Sequence, residues 1–186
     1  SDNLEGKSVL VQGIGHVGEA LVQHLTESGA IVTITDINED RVHQVGAKYG
    51  AKIFTGADLY SADVDIYAPC ALGATINDAT INNFKASIIA GAANNQLANE
   101  AVHGKILKEK GILYAPDFLI NAGGVINVYS ELVKWTNAQV MEKTENIYNT
   151  ALEIFKFADD NNITTHQAAF SMAQKRIDDA KNELKK

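Results

Sequence analysis

Residues Val9–Asp36 read VLVQGIGHVGEALVQHLTESGAIVTITD. Val9-Leu10-Val11 is a short apolar run, the pattern of a strand buried on both faces. Gly13-Ile14-Gly15-His16-Val17-Gly18 follows it directly. Val17, Ala20, Leu21 and Leu25 then recur at helical spacing, and Gly29 fits a helix C-terminal cap. Ile31–Thr35 is a second β-branched run, and Asp36 stands at its end. Strand, glycine turn, helix, strand and acid, in that order, make up a dinucleotide-binding βαβ unit.

Each part of the unit has a physical task. Gly13 permits the tight turn off the strand, Gly15 lets backbone approach a pyrophosphate, and Gly18 lets the helix pack close on the sheet. The free N–H groups at the helix start, over Ile14–Val17, point at the anion, and the helix dipole favours it. At His16 the backbone N–H, rather than the imidazole, is the candidate group. Asp36 is placed to accept hydrogen bonds from the adenosine ribose hydroxyls. Its charge repels a 2′-phosphate, so NAD is expected over NADP. Arg41 follows closely and is expected on the next helix, a minor counterweight to that preference.

The 186 residues suit one domain, or one domain with appended helices, and 46% hydrophobic content supplies a sizeable core. A net charge of −7 argues against a general nucleic-acid or membrane-surface partner. Cofactor phosphates must then be held by local backbone N–H groups. One cysteine, Cys70, excludes an internal disulfide and fits a reducing, cytoplasmic setting. No apolar run approaches the about 18 residues of a membrane span. The opening Ser1–Lys7 lacks the apolar core of a signal peptide, and its run into a strand without a Met suggests an expressed fragment.

Further along, Asn38 is a helix N-cap candidate and Gly50 ends that helix. Lys52–Phe54, Val64–Ala68, Ser87–Ala90 and Ile112–Tyr114 read as strands. Asp58–Ala62 is a turn or a helical piece, Asn77–Phe84 a short helix, and Glu100–Lys110 a longer one. After Gly124 the alternation stops, and Val125–Trp135, Ala138–Asp160 and Thr165–Lys185 read as helices, with Thr164 or Thr165 capping the last. The expected fold is α/β, a doubly wound, mostly parallel Rossmann sheet of about six strands with C-terminal helices. Residues 1–135 form the dinucleotide-binding domain. Residues 136–186 either complete it or pack on a missing substrate domain, and an exposed apolar face on them would mark that partner.

Several residues carry two readings. Cys70 is a nucleophile, or a small buried residue whose neighbouring backbone borders the cofactor. Asn94, Asn95 and Asn121 satisfy loop backbone, or meet a ligand from predicted strand ends. Gly123-Gly124 is a plain turn, or a place where backbone nears the nicotinamide. His24, His43, His103 and His166 are scattered, so no metal site is expected. Tyr129, Trp135 and Phe155 read as core.

At Ala68-Pro69-Cys70-Ala71-Leu72-Gly73 and at Tyr114–Asn127, YAPDFLINAGGVIN, the chain resembles the NAD-binding domain of the Glu/Leu/Phe/Val amino acid dehydrogenases, with the leucine enzymes nearest. The resemblance covers about Gly6 to Asp178. It implies reversible, NAD-dependent oxidative deamination of a branched-chain L-amino acid, leucine first, to the 2-oxo acid and ammonia. It implies that Gly13, Ile14, Gly15, His16, Val17, Gly18 and Glu19 hold the pyrophosphate, and that Asp36 and Ile37 meet the adenosine ribose. Cys70, Ala71 and Ala92 would line the two riboses, with Asn94 near the nicotinamide one and Asn121 by nicotinamide and substrate. Val125 and Val128 would border an aliphatic side-chain pocket, in which a charged side chain would be stranded.

The departures are as informative. The family's catalytic lysine and aspartate belong to a preceding substrate domain, with most of the subunit contacts of a homo-oligomeric parent. No lysine of this chain takes that role, so the fragment is expected to bind NAD without turnover. Gly18 stands where many relatives have alanine, and Ala74 where glycine is common. The alternatives are a stand-alone NAD-binding regulatory module, a valine or phenylalanine dehydrogenase, or another two-domain NAD enzyme acting on hydroxy acids, which leaves Asn121–Val125 unexplained.

Overall fold

The computed structural model describes residues 3–183. The expectations for Ser1 and Asp2, and for the last predicted helix beyond residue 183, fall outside them. Six strands form one sheet: β1 (Ser8–Gln12), β2 (Ile31–Thr35), β3 (Lys52–Ile53), β4 (Ile66–Pro69), β5 (Ile88–Ile89) and β6 (Leu113–Tyr114). Their order is β3-β2-β1-β4-β5-β6, and every neighbouring pair is parallel. This is the doubly wound Rossmann arrangement that the sequence predicts. The chain runs from β1 outward through β2 and β3, then returns to lay β4 on the other side of β1. Such a reversal leaves a crevice at the carboxyl ends of the two central strands.

β1 is an unbroken apolar run because both of its faces are covered. Leu10 packs with Tyr67, Ile89 and Tyr114 in one core. Val9 and Val11 pack with Val22, Ile34 and Val45 in the other. Helices α1 (His16–Glu27) and α2 (Glu39–Tyr49) belong to the second core, and α3 (Glu100–Glu109) to the first. Asn38 caps α2 as expected, its side chain accepting the Arg41 N–H at 3.0 Å.

Ser8 and Asp65 staple the starts of β1 and β4. The Ser8 amide and hydroxyl each donate to Asp65 Oδ2 at 2.8 Å, and the Asp65 amide donates back to Ser8 Oγ at 2.8 Å. These bonds, with Lys7 nearby, hold the Asp65 carboxyl below the usual aspartate range. A folded-state value below the unfolded value of about 3.9 gives stability that is present above that pH and lost on acidification through the folded value. Urea unfolding followed from pH 6 to pH 3 should therefore fall less steeply for Asp65→Asn than for the unaltered chain. Equal slopes would remove Asp65 from the acid response.

The described residues fall into two compact units, one ending at Asp117 and the other beginning at Phe118. This break precedes the expected division after residue 135, because α5 (Gly123–Val133) packs with α6 (Asn137–Asp160), and α6 with α7 (Thr165–Glu183). The helical unit has a small core of Ile154, Ala158, Ala168 and Ala169. Thr136 with Gln139 caps α6 in a reciprocal capping box. Thr164, rather than Thr165, caps α7: its hydroxyl accepts the Gln167 N–H at 3.1 Å, and its own amide donates to Gln167 Oε1 at 3.1 Å.

Three local expectations are corrected. Asn77–Phe84 is a set of turns, not a helix. Asn77 Oδ1 accepts from the Ala79 amide, while the Thr80 hydroxyl accepts from the Asn77 amide and donates to the Thr75 carbonyl; these side chains compete with helical bonding. Asp117–Ile120 forms a short helix, α4, and Gly123-Gly124 is the first turn of α5 rather than a loop. Tyr129 is half exposed rather than core, with its ring edge-on to Trp135 at 5.4 Å.

Candidate functional site

A cleft of about 490 Å³ opens at the switch point. Gln12, Gly13 and Gly15 line it from the end of β1, Thr35, Asp36 and Ile37 from the end of β2, and Cys70, Ala71 and Leu72 from the end of β4. The volume lies in the range of small-molecule and cofactor sites. The buried Tyr67 donates its hydroxyl to Gln12 Oε1 and so fixes the Gln12 amide at the cleft floor. Burial pushes the Tyr67 pKa up, keeping it a donor.

The glycine turn is held by its own contacts. Gly13 has φ +91°, and a Cβ there would lie 2.7 Å from the Ala71 amide nitrogen. At Gly18 a Cβ would lie 2.0 Å from the Gly13 carbonyl oxygen, so α1 can sit this close to the turn only without a side chain. An alanine here would require this backbone to shift. The Gly13 amide donates to the Thr35 carbonyl at 2.8 Å, Ile14 to Asp36 Oδ2 at 2.8 Å, and Glu19 to the Gly15 carbonyl at 2.9 Å. The bond from Glu19 is the first of the α1 ladder. The amides of residues 15–18 precede that ladder, with Gly15 as a cap that offers no side-chain bond. Gly15, His16 and Val17 are exposed, Val17 by 61%. Within Gly13–Glu19, residues Gly15–Val17 are thus both exposed and ahead of the ladder, with Gly18 packed behind them.

Asp36 is fixed from two sides. Its Oδ2 accepts the Ile14 amide, and its Oδ1 accepts the Asn38 amide at 3.0 Å. Each oxygen retains a lone pair for a hydroxyl donor. Arg41, which the sequence made peripheral, reaches the turn: its Nε donates to the Ile14 carbonyl at 3.1 Å, and its Nη2 to Glu19 Oε2. Lys48 Nζ meets Glu19 Oε1 at 2.9 Å, and the Tyr49 hydroxyl reaches the same oxygen at 3.3 Å. The Lys48 hydrogen bond, with charge from Lys48 and Arg41, lowers the Glu19 pKa. The Glu19 carboxylate therefore faces α2 rather than an anion. The sequence signal was available: Arg41 and Lys48 stand seven residues apart on one face of α2.

Cys70 comes against Ala92, another of the residues that the resemblance assigns to the riboses. Burial raises the Cys70 pKa, partly offset by a hydrogen bond from the Ala92 backbone. A neutral thiol of this kind is a poor nucleophile, which favours the lining role. The loop bearing Ala92 and Asn94 is shaped by a residue that sequence reading missed. Gln96 is fully buried, and its Nε2 donates to the carbonyls of Gly91 at 2.6 Å and Ala93 at 3.0 Å. Its amide donates to Asp117 Oδ2 at 3.2 Å. Asn94 itself is exposed.

Asn121, Val125 and Val128 belong to the helical unit. Asn121 is half-buried just before α5. Val125, Val128 and Leu132 are 73%, 64% and 78% exposed and recur at helical spacing on α5, an exposed apolar stripe that lies before residues 136–186, where such a face was anticipated. Among the described residues, no group of three or more His, Cys, Asp or Glu is arranged to hold a metal ion. No helix among them is long and apolar enough to cross a membrane.

Residues 37–184 match the sequence profile of the Glutamate/Leucine/Phenylalanine/Valine dehydrogenases. The chain is 45% identical over 186 residues to an L-tryptophan dehydrogenase of Nostoc punctiforme, covering 100% of this chain and 53% of that protein. It is 49% identical over 178 residues to a leucine dehydrogenase of Geobacillus stearothermophilus, covering 96% of this chain and 48% of that protein. The crystal structure of L-tryptophan dehydrogenase from Nostoc punctiforme matches with a TM-score of 0.94 at 45% identity, over 98% of this chain and 55% of that one. The chain thus spans about half the length of the curated relatives it matches. On the profile match, the long alignments and the shared fold together, it belongs to the Glutamate/Leucine/Phenylalanine/Valine dehydrogenase family.

Proposed function

We propose that this chain is the cofactor-binding part of an NAD-dependent amino acid dehydrogenase that oxidatively deaminates a branched-chain L-amino acid, leucine first. One observation carries the cofactor assignment: the exposed residues Gly15–Val17, whose amides precede the α1 ladder, follow a turn tied at Ile14 to a carboxylate, Asp36, that is fixed by two backbone N–H bonds at the switch-point cleft. The donor set fits a diphosphate joined to a ribose. Backbone N–H groups and the positive end of α1 meet the phosphates, and the free lone pairs of Asp36 meet the two ribose hydroxyls. Bound nicotinamide supplies the hydride acceptor. Cys70, Ala71, Ala92 and Asn94 line the riboses, Asn121 adjoins the nicotinamide and substrate, and Val125 and Val128 border the aliphatic side chain. The catalytic lysine and aspartate, and most contacts of a homo-oligomer, belong to a further domain, for which the exposed α5 stripe offers a surface.

A second reading, an aromatic amino acid as substrate, has the likeness to L-tryptophan dehydrogenase behind it. The branched pair Val125 and Val128, three residues apart on α5, favours the aliphatic one. The cofactor test is calorimetric titration of the 186-residue chain with NAD and with NADP. NAD binds and NADP binds more weakly. Leucine added to the NAD-loaded chain produces no NADH by absorbance. Equal binding of the two dinucleotides removes the role given to Asp36, and leucine-dependent NADH removes the need for a further domain.

A further inference from the structure

The charged cluster behind the glycine turn does more than brace it. Ile14 is gripped through one peptide plane on each side: Asp36 Oδ2 takes its N–H at 2.8 Å, and Arg41 Nε donates to its carbonyl at 3.1 Å. The Arg41 guanidinium and the carboxylate assigned to the sugar are therefore tied to the same residue, Ile14. A planar guanidinium is a strong phosphate ligand, and beside a ribose it would welcome a 2′-phosphate. Here it is occupied. Glu19, with a side chain only 19% exposed, takes Arg41 Nη2 on one oxygen and Lys48 Nζ on the other. With Asp36 and Glu19 against Arg41 and Lys48, the four formal charges cancel. Without Glu19 the same corner carries one net positive charge and a free guanidinium edge, still tethered to Ile14 through Nε.

We infer that Glu19 is a specificity-determining residue acting through Arg41: it sequesters the cation that would otherwise bind the 2′-phosphate of NADP. The inference rests on the dinucleotide assignment under Proposed function. It gives Glu19 a task other than holding pyrophosphate, and it makes NAD preference the joint property of two carboxylates on different elements.

The test measures the ratio of Kd for NADP to Kd for NAD in four chains: unaltered, Glu19→Gln, Arg41→Ala and the double variant. Glu19→Gln keeps the shape and removes the charge. It moves the ratio toward NADP by about tenfold, the scale of one additional charge-assisted hydrogen bond. The double variant returns the ratio to within about twofold of Arg41→Ala alone, because the freed guanidinium is gone. Thermal unfolding of each variant, followed by circular dichroism, separates a change of preference from a loss of the turn. An unchanged ratio in a folded Glu19→Gln chain that still binds NAD overturns the inference and leaves the cofactor assignment standing, as does a shift toward NADP that survives in the double variant. Failure of the unaltered chain to bind either dinucleotide overturns both.

Discussion

Asp36→Ala should weaken NAD binding by between about tenfold and a hundredfold and abolish the preference over NADP. The magnitude follows from hydrogen bonds to a charged acceptor, worth about 1.5–3 kcal/mol net, where about 1.4 kcal/mol is tenfold. Two effects are combined in this substitution. The sugar loses its acceptor, and the Ile14 and Asn38 amides lose theirs. Asp36→Asn separates them, since one amide oxygen still accepts a backbone N–H while the charge that repels a 2′-phosphate is gone. The asparagine variant should keep the turn, retain more NAD affinity than the alanine variant and tolerate NADP. Titration of the three chains with both dinucleotides measures this. An Asp36→Ala chain that still favours NAD as strongly as the unaltered one would show that the sugar is read elsewhere.

Gly13→Ala and Gly15→Ala, two residues apart, should fail in opposite ways. At Gly13 the φ of +91° costs an L-residue about 1–2 kcal/mol, and the new methyl presses on the Ala71 backbone and Cβ at 2.7 Å, an overpacking of about 1–3 kcal/mol. For a chain of this length, thermal unfolding should drop by roughly 5–15 °C. Gly15 has φ −62°, and no atom lies within 4 Å of where its Cβ would stand. Stability there should change by less than about 1 kcal/mol. The same methyl, however, projects from the exposed amides and holds a phosphate off, so NAD affinity should fall by more than about tenfold. A folded Gly15→Ala chain that binds NAD as before would move the phosphates away from Gly15–Val17.

Much of this was legible in the sequence because local pattern and tertiary role coincide in the first βαβ unit. The apolar run Val9–Val11, the glycines and Asp36 each have one structural solution, and a parallel, doubly wound sheet follows from alternating strands and helices. The motif at Tyr114–Asn127 was legible as a resemblance, and the family profile covers it. What could not be read were choices settled by particular hydrogen bonds, some within a few residues and one set between elements. Asn77–Phe84 has helical spacing, but Asn77 and Thr80 satisfy its backbone as turns. Gly123-Gly124 looks like a loop, yet it is drawn into α5. Arg41 and Lys48 look like solvated charges until α2 is laid beside α1 and Glu19 is found between them. Gln96 gives no sequence signal, because its value lies in two carbonyls that need a buried donor.

Ile14, gripped through the peptide on either side of it, has a kinetic consequence. A lip immobilised in this way needs no rearrangement before a dinucleotide settles on it. The observed rate of capture should climb in proportion to cofactor concentration without reaching a plateau, and differences in affinity among variants that leave Asp36 and Arg41 intact should lie almost wholly in how fast the cofactor departs.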